Sequence, residues 1–406
     1  MTLKVFDFIR RQKRPFKVNL LKNVFQNFSL ALTQQYQSIF ISDLGANPIE
    51  LGYVNSIGGI AGSLVSIPMG WLATKLGIRK IFLIGMPLLI LSSAVFALAK
   101  SWEITIIALI IFMLAQRITQ TGCPLVCGNT LKNEERATGM QLCDTLSAIP
   151  RLIAPIAAAY IISTSGGMQV EGIRPLYWIK CLGLIISLFL IYKFFTNPVD
   201  KRKEVTQPTL LGDLGRIFKE GMMVKRWIIF LMLSSFPMYI GNIFTPLYAA
   251  EVKGANESIL GWMFTASYLV IIPLAFPMGR LADTFGRKKL ILLMTPLYCI
   301  SLLLLLNAWD DTTLIISGFF NGFYMLMSVT QGAITAQLVP RELLGNWYGI
   351  IGLFRGLVSI ASPTLGGIIW ETIGSEYIFY FLIATQLGKL LILVTIPFQE
   401  TITGKR

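Results

Sequence analysis

The sequence has no histidine, and only 21 aspartates and glutamates stand against 35 lysines and arginines in 406 residues. Without histidine the usual proton shuttle, the commonest metal ligand and the base of Ser or Cys triads are missing, which counts against an enzyme. Charge of either sign is scarce as well, at 14% of the chain, where a soluble domain carries roughly 25%. With 54% hydrophobic residues and no short glycine period, a soluble globular domain, a disordered chain and a collagen-like chain are all excluded. Cysteine occurs five times (Cys123, Cys127, Cys143, Cys181, Cys299), always inside apolar stretches, which argues against disulfides at an exposed surface. Cys123 and Cys127 are one helical turn apart, but neither a second pair nor a histidine completes a tetrahedral set. No metal and no other cofactor is expected.

What is present is long apolar runs. About 20 mostly apolar residues cross a bilayer, and twelve stretches qualify: 17–42, 50–73, 81–99, 104–129, 137–163, 176–195, 227–249, 258–281, 290–307, 313–337, 347–370 and 376–397, numbered below as spans 1 to 12. The expected fold class is an all-α membrane protein embedded in a lipid bilayer. The basic N-terminus (Arg10, Arg11, Lys13, Arg14, Lys17) lacks a small-residue cleavage signature after it, so no signal peptide is expected.

The formal net charge of +14 could invite nucleic acid, but the basic residues punctuate apolar runs instead of covering a polar surface, so no nucleic-acid partner is expected. Alternate loops tell the story. One set holds only Lys100, Arg174 and Lys253 and is otherwise acidic, with Asp43, Glu50, Glu103, Glu171, Glu251, Glu257, Asp310, Asp311, Glu371 and Glu376. Lys22, Arg117, Arg151, Lys180, Arg355 and Lys389 fall within spans, and the remaining basic residues fall in the other loops and the two terminal segments. The positive-inside rule therefore places both termini in the cytoplasm, in a multi-pass protein of the plasma or inner membrane.

A hydrophilic stretch at 197–226 divides the chain into a first bundle (1–196) and a second (227–406). Within it Leu210, Leu211, Leu214, Ile217 and Phe218 recur at helical spacing against Asp213, Arg216, Lys219 and Glu220, the pattern of an amphipathic helix on the cytoplasmic surface. The halves repeat each other. A shift of 209 residues matches Gly45, Ala46 and Asn47 with Gly254, Ala255 and Asn256, Gly52 with Gly261, Pro68, Met69 and Gly70 with Pro277, Met278 and Gly279, and Gly77 with Gly286. Both copies start on the same side of the membrane, so the repeats are parallel, related by an axis along the membrane normal.

After span 2 comes a loop with Gly70, Thr74, Lys75, Gly77, Arg79 and Lys80, and after span 8 its counterpart with Gly279, Asp283, Gly286, Arg287, Lys288 and Lys289. In these residues the chain resembles the major facilitator superfamily, whose loop between helices 2 and 3 carries G-x-x-x-D-(R/K)-x-G-x-(R/K)-(R/K), with a weaker copy in the second half. The resemblance implies twelve helices in two six-helix bundles and a cytoplasmic gating role for Gly70, Lys75, Gly77, Arg79, Lys80, Gly279, Asp283, Gly286, Arg287 and Lys288. Thr74 stands where the family has aspartate, which puts the latch of the first copy in question.

Arg117, Gln120 and Gly122 on span 4 resemble the R-x-x-Q-G segment of proton-coupled members, with Thr121 inserted before the glycine. An arginine at mid-membrane depth is costly unless paired or wet, and marks function by default. At about 1.5 Å per residue, Asp144 on span 5 lies close enough in depth to pair with Arg117, and together they are the proton-coupling candidates. Arg151, two turns beyond Asp144, and Arg355 on span 11 could make the cavity positive. Gln34, Asn242 and Gln331, from spans 1, 7 and 10, complete the candidate substrate cavity. Lys180 and Lys389 are expected to snorkel or to pack structurally, and Arg355 has the same bland alternative.

These features lead to a secondary active transporter of a small organic solute, monomeric, working by alternating access, with proton-coupled efflux (antiport) as the first expectation. Uptake or exchange of an organic anion is the alternative. A channel, a transporter-like sensor and a membrane enzyme rank below both.

Overall fold

The structure is a computed structural model that describes residues 8–120, 122–131, 133–197, 222–338 and 344–396. Within its helices, the side chains of 65–75 and of scattered positions including Asp144, Gly279 and Asp283 lie outside the description. Nine segments among the described residues are long and apolar enough to cross a membrane. Three further helices, Arg14–Gln34, Pro48–Leu76 and Asp311–Leu338, have crossing length and fall where spans 1, 2 and 10 are expected. The remaining spans are Ile78–Leu98, Trp102–Gln120 with Gly122–Thr130, Asn133–Thr164, Val170–Phe194, Met222–Glu251, Glu257–Phe285, Arg287–Leu306, Leu344–Thr372 and Tyr377–Val394. The amphipathic segment expected at 210–220 lies outside the described residues, and span 7 is already helical at Met222, five residues before the expected start, with Val224 packed into the bundle.

Among the described residues, two spans are broken. Span 1 ends at Gln34 and resumes as Gln37–Asp43, while span 7 stops at Leu233, turns through Ser234 and Ser235, and passes Pro237–Gly241 as a π-helical turn. Carbonyls left without an intrahelical donor must be met by side chains at membrane depth. Around the span 7 break, Tyr324 Oη donates to Ser234 O at 2.9 Å and Gln386 Nε2 to Leu233 O at 3.2 Å.

The internal repeat extends to single hydrogen bonds. Ser92 Oγ donates to Ala108 O at 2.7 Å, and Ser301 Oγ, 209 residues later, donates to Ser317 O at 2.7 Å. Asn47 Oδ1 accepts from Glu50 N at 2.8 Å and Asn256 Oδ1 from Ile259 N at 2.9 Å, each the N-cap bond of a second span. Ser42 Oγ donates to Glu251 Oε1 at 2.9 Å, a contact between a residue and its own repeat counterpart, which places that bond on the pseudo-twofold axis.

Contacts between the halves run along two helix pairs. Spans 2 and 11 approach so closely that a Cβ on Gly52 would stand 2.6 Å from Pro363 O, and one on Gly59 2.7 Å from Ser359 O. Spans 5 and 8 touch where a Cβ on Gly261 would stand 2.9 Å from Pro155 O, and Thr265 Oγ1 donates to Leu152 O at 3.1 Å. Small residues let backbones meet where lipid offers no hydrophobic drive for association. At the end holding the acidic loops, Tyr36 Oη also donates to Glu257 O at 2.8 Å, and Ser56 Oγ meets Thr364 Oγ1 at 2.8 Å a little deeper.

Candidate functional site

Arg151 occupies the middle of span 5, about 20 Å from Thr164 at 1.5 Å per residue. Its Nε donates to Asn27 Oδ1 of span 1 at 3.0 Å, and its Nη2 reaches the same oxygen. The guanidinium also faces the hydroxyl of Tyr268, a buried residue of span 8 in the other half. Arg151 thereby touches both bundles where spans 1, 5 and 8 converge. Asn27 in turn donates Nδ2 to Asn23 O at 2.7 Å, which fixes its carbonyl oxygen toward the arginine.

Arg355, in the middle of span 11, is half-buried among Ile228, Leu231 and Met232 of span 7 and Ile351 and Phe354 of its own helix, and faces Tyr324. Its Nε is buried without a hydrogen-bond acceptor among the described residues. Gln331 is buried and donates Nε2 to Ser234 Oγ at 2.6 Å, so it braces the break in span 7. Gln34 and Asn242 are exposed, one at the end of the first segment of span 1 and the other just after the π-helical turn of span 7.

Arg117 lies against span 2, where a Cβ on Gly62 would stand 3.7 Å from Nε. Asp144 sits on Asn133–Thr164, but the Arg117–Asp144 pair lies outside the described residues because the aspartate side chain does.

The repeated motif corrects one expectation. No extended loop follows span 2 or span 8. Pro48–Leu76 continues as helix to Leu76, Gly77 alone makes the turn with φ +82°, and the next helix begins at Ile78. Glu257–Phe285, Gly286 with φ +89° and Arg287 repeat this arrangement. Only glycine adopts such a backbone without cost, so both turns require it. Gly70, Lys75, Gly279 and Asp283 therefore lie on helix, with side chains outside the description. Arg79 donates Nη2 to Tyr192 O at 2.8 Å, and its counterpart Lys288 donates to Val394 O at 3.1 Å and Ile396 O at 2.9 Å. Each basic side chain thus caps the carbonyl end of the sixth span of its own half, where a helix C-terminus favours a cation. Arg287 is half-buried and Lys80 exposed.

Lys180 and Lys389, also 209 residues apart, do not snorkel. They are 2% and 0% exposed. Lys180 Nζ donates to Thr33 Oγ1 at 3.1 Å and lies 5.0 Å from the Phe112 ring centre, while Lys389 Nζ donates to Gln386 Oε1 at 2.5 Å and lies 5.8 Å from the Phe230 ring centre. The sequence places both in outer spans, where their rotation toward the bundle interior is invisible. Among the described residues no carboxylate forms an ion pair with either. A charge held this way in a low-dielectric core costs stability, so Lys180→Met and Lys389→Met are each expected to stabilise the detergent-solubilised protein by about 1–3 kcal/mol, read as a rise in thermal midpoint.

Comparison with known proteins agrees with this architecture. The model of the family described as Major Facilitator Superfamily matches residues 24–256 and 242–398. A riboflavin transporter, RibZ, of Clostridioides difficile is 30% identical over 184 residues, 43% of this chain and 40% of that protein. Multidrug resistance protein 3 of Bacillus subtilis is 32% identical over 141 residues, 34% of this chain and 27% of that protein. The chain thus matches less than half the length of either curated relative. Among solved structures, the nucleoside transporter NupG superposes with a TM-score of 0.74 at 15% identity, covering 95% of this chain and 99% of that one. The xylose transporter XylE from E. coli, in an inward-open conformation, gives 0.69 at 18% identity, covering 94% and 95%. At such identities the structural likeness speaks for the fold alone, while the family match spans nearly the whole chain. Twelve spans among the described residues in two repeated halves, a glycine-turned motif present in both, and this match lead to one assignment: the chain belongs to the major facilitator superfamily.

Proposed function

We propose that the protein is a secondary active transporter of a small organic solute that works by alternating access, with proton-coupled efflux as its mode. The observation that carries this is the close contact between the halves at the acidic end. They meet through glycine-backbone contacts and hydrogen bonds at the acidic end and at mid-depth. A carrier needs such a closure on one side at a time. Loop charge makes the acidic end external and the basic end, with both termini, cytoplasmic, in a monomer of the plasma or inner membrane.

In this reading Asp144 carries the proton and Arg117 tunes it, while Arg151, Arg355, Gln34, Asn242 and Gln331 line the solute path. The two motif copies, from Gly70 to Lys80 and from Gly279 to Lys288, steady the basic end as it opens and closes. Reconstituted protein should show trans-acceleration by unlabelled solute, which a channel lacks. Asp144→Asn should keep this counterflow but lose acceleration by an imposed pH gradient. Full pH response in that variant would remove the proton role from Asp144.

A second reading, uptake or exchange of an organic anion, is favoured by the two guanidinium groups at mid-depth. Among the described residues neither Arg151 nor Arg355 forms a salt bridge with a carboxylate.

A further inference from the structure

At the basic side of the first half, three thiols from two spans converge. The sulfurs of Cys123 and Cys127 on span 4 and Cys143 on span 5 all lie within 4.8 Å of one another. Cys127 and Cys143 are buried, Cys123 is partly exposed, and Phe16, Leu20, Leu131 and Leu142 form the apolar wall. The sequence hides this meeting because Cys143 is 16 residues beyond Cys127, across a turn between antiparallel helices.

Span 1 presents two polar groups to the same place. Asn19 is fully buried beside Cys123, and its amide oxygen has no hydrogen-bond partner among the described residues. An amide left so costs about 1–3 kcal/mol. Lys22, one turn on, is 2% exposed, flanks Cys123 and Cys143, and lies 4.4 Å from the Phe82 ring centre. A buried amine, an unpartnered amide oxygen and three adjacent sulfurs make a donor set with its own counter-charge.

We propose that Cys123, Cys127 and Cys143 form a site for a thiophilic divalent cation of the zinc and cadmium class, with Asn19 Oδ1 as fourth ligand. Binding releases three protons to solvent as three thiols become three thiolates. The thiolates and the cation together carry one negative charge, which the Lys22 ammonium cancels. A monovalent soft cation on the same three thiolates would leave an uncancelled charge in an apolar surround, which is costly. The geometry is within reach, since tetrahedral Zn–S bonds of about 2.3 Å set sulfurs about 3.8 Å apart. The Asn19 amide turns its oxygen toward the sulfurs, which ends its isolation. Such a site would tie spans 1, 4 and 5 together some 12 Å along span 5 from Arg151, separate from the proposed solute path.

The test uses the full-length protein in detergent, reduced and stripped by a chelator, then titrated with Cd2+ while thiolate-to-metal absorption is followed, with Zn2+ binding measured against a chromogenic chelator. The expected result is one cation per chain, with absorption matching three thiolates. Cys143→Ser should weaken binding at least 100-fold, Lys22→Met at least tenfold, and Cys181→Ser and Cys299→Ser should leave it unchanged. Wild-type protein that binds Cd2+ no more tightly than Cys143→Ser would overturn the site, whether or not the variant folds well. Tighter binding by Lys22→Met would overturn the charge balance on which it rests.

Discussion

Replacing Gly367 by alanine should cut transport at least tenfold and leave each half folded. The new Cβ would overlap Pro48 O and stand 2.7 Å from Ile49 Cα. Both atoms are backbone, so no rotamer change relieves the clash, and carbon contacts want about 3.5–4.0 Å. Spans 2 and 11 must then part at the acidic end. Gly52→Ala meets the same obstacle from the other side, 2.6 Å from Pro363 O and 2.9 Å from Thr364 Cα.

Overpacking of this kind costs about 1–3 kcal/mol. Charged to the closed conformer alone, that is roughly a 5- to 150-fold shift toward the state with the acidic end open. The shift is read by thiol labelling of a Ser56→Cys reporter, whose parent side chain bonds Thr364 across the interface. Labelling should rise at least fivefold in the Gly367→Ala background. Gly318→Ala supplies the contrast, because its Cβ would strike Met263 O, and both residues belong to the second half. That variant should lower the thermal midpoint without raising labelling. Unchanged labelling and transport in Gly367→Ala would mean the two spans do not close upon each other in membranes.

The architecture was legible because bilayer thickness and repeat spacing are written in one dimension. Run length locates spans, loop charge sorts their ends, and the 209-residue shift found by matching Gly45 to Gly254 reappears as paired hydrogen bonds at Ser92 and Ser301. What needs a helix rotation or a partner from a distant span was not legible. Arg151 was singled out as two turns beyond Asp144, but Asn27 and Tyr268 as its neighbours follow from how spans 1 and 8 are turned. Hydropathy carries through Gly70 and Lys75 without marking that the helix continues to Leu76 and that Gly77 alone makes the turn. Of the two outcomes open to Lys180 and Lys389, snorkelling or structural packing, the structure shows packing, and the sequence could not choose between them for the same reason. A long cationic side chain near an apolar run is assumed to reach for water, yet Thr33 and Gln386 hold these two inside.

Arg151→Met should reduce transport of anionic solutes at least 100-fold, a loss of about 2.7 kcal/mol, and reduce transport of neutral solutes much less. The argument turns on what the guanidinium does when the halves separate. In the closed arrangement its fork is spent on Asn27 Oδ1, with Tyr268 facing it from the other half. When span 8 moves away, one side of the cation is uncovered at mid-depth, where a desolvated charge attracts an anion strongly. Arg151→Lys keeps the charge and loses the planar fork, so it should fall between, near a tenfold loss. Asn27→Ala removes the resting partner but keeps the cation, so it should preserve the preference for anions even if the overall rate changes. The discriminating quantity is the ratio of anionic to neutral flux in proteoliposomes, across the wild type and these three variants. If Arg151→Met lowers both fluxes equally, the residue serves as a hinge contact between spans 1, 5 and 8, and the anion reading fails while the carrier reading stands.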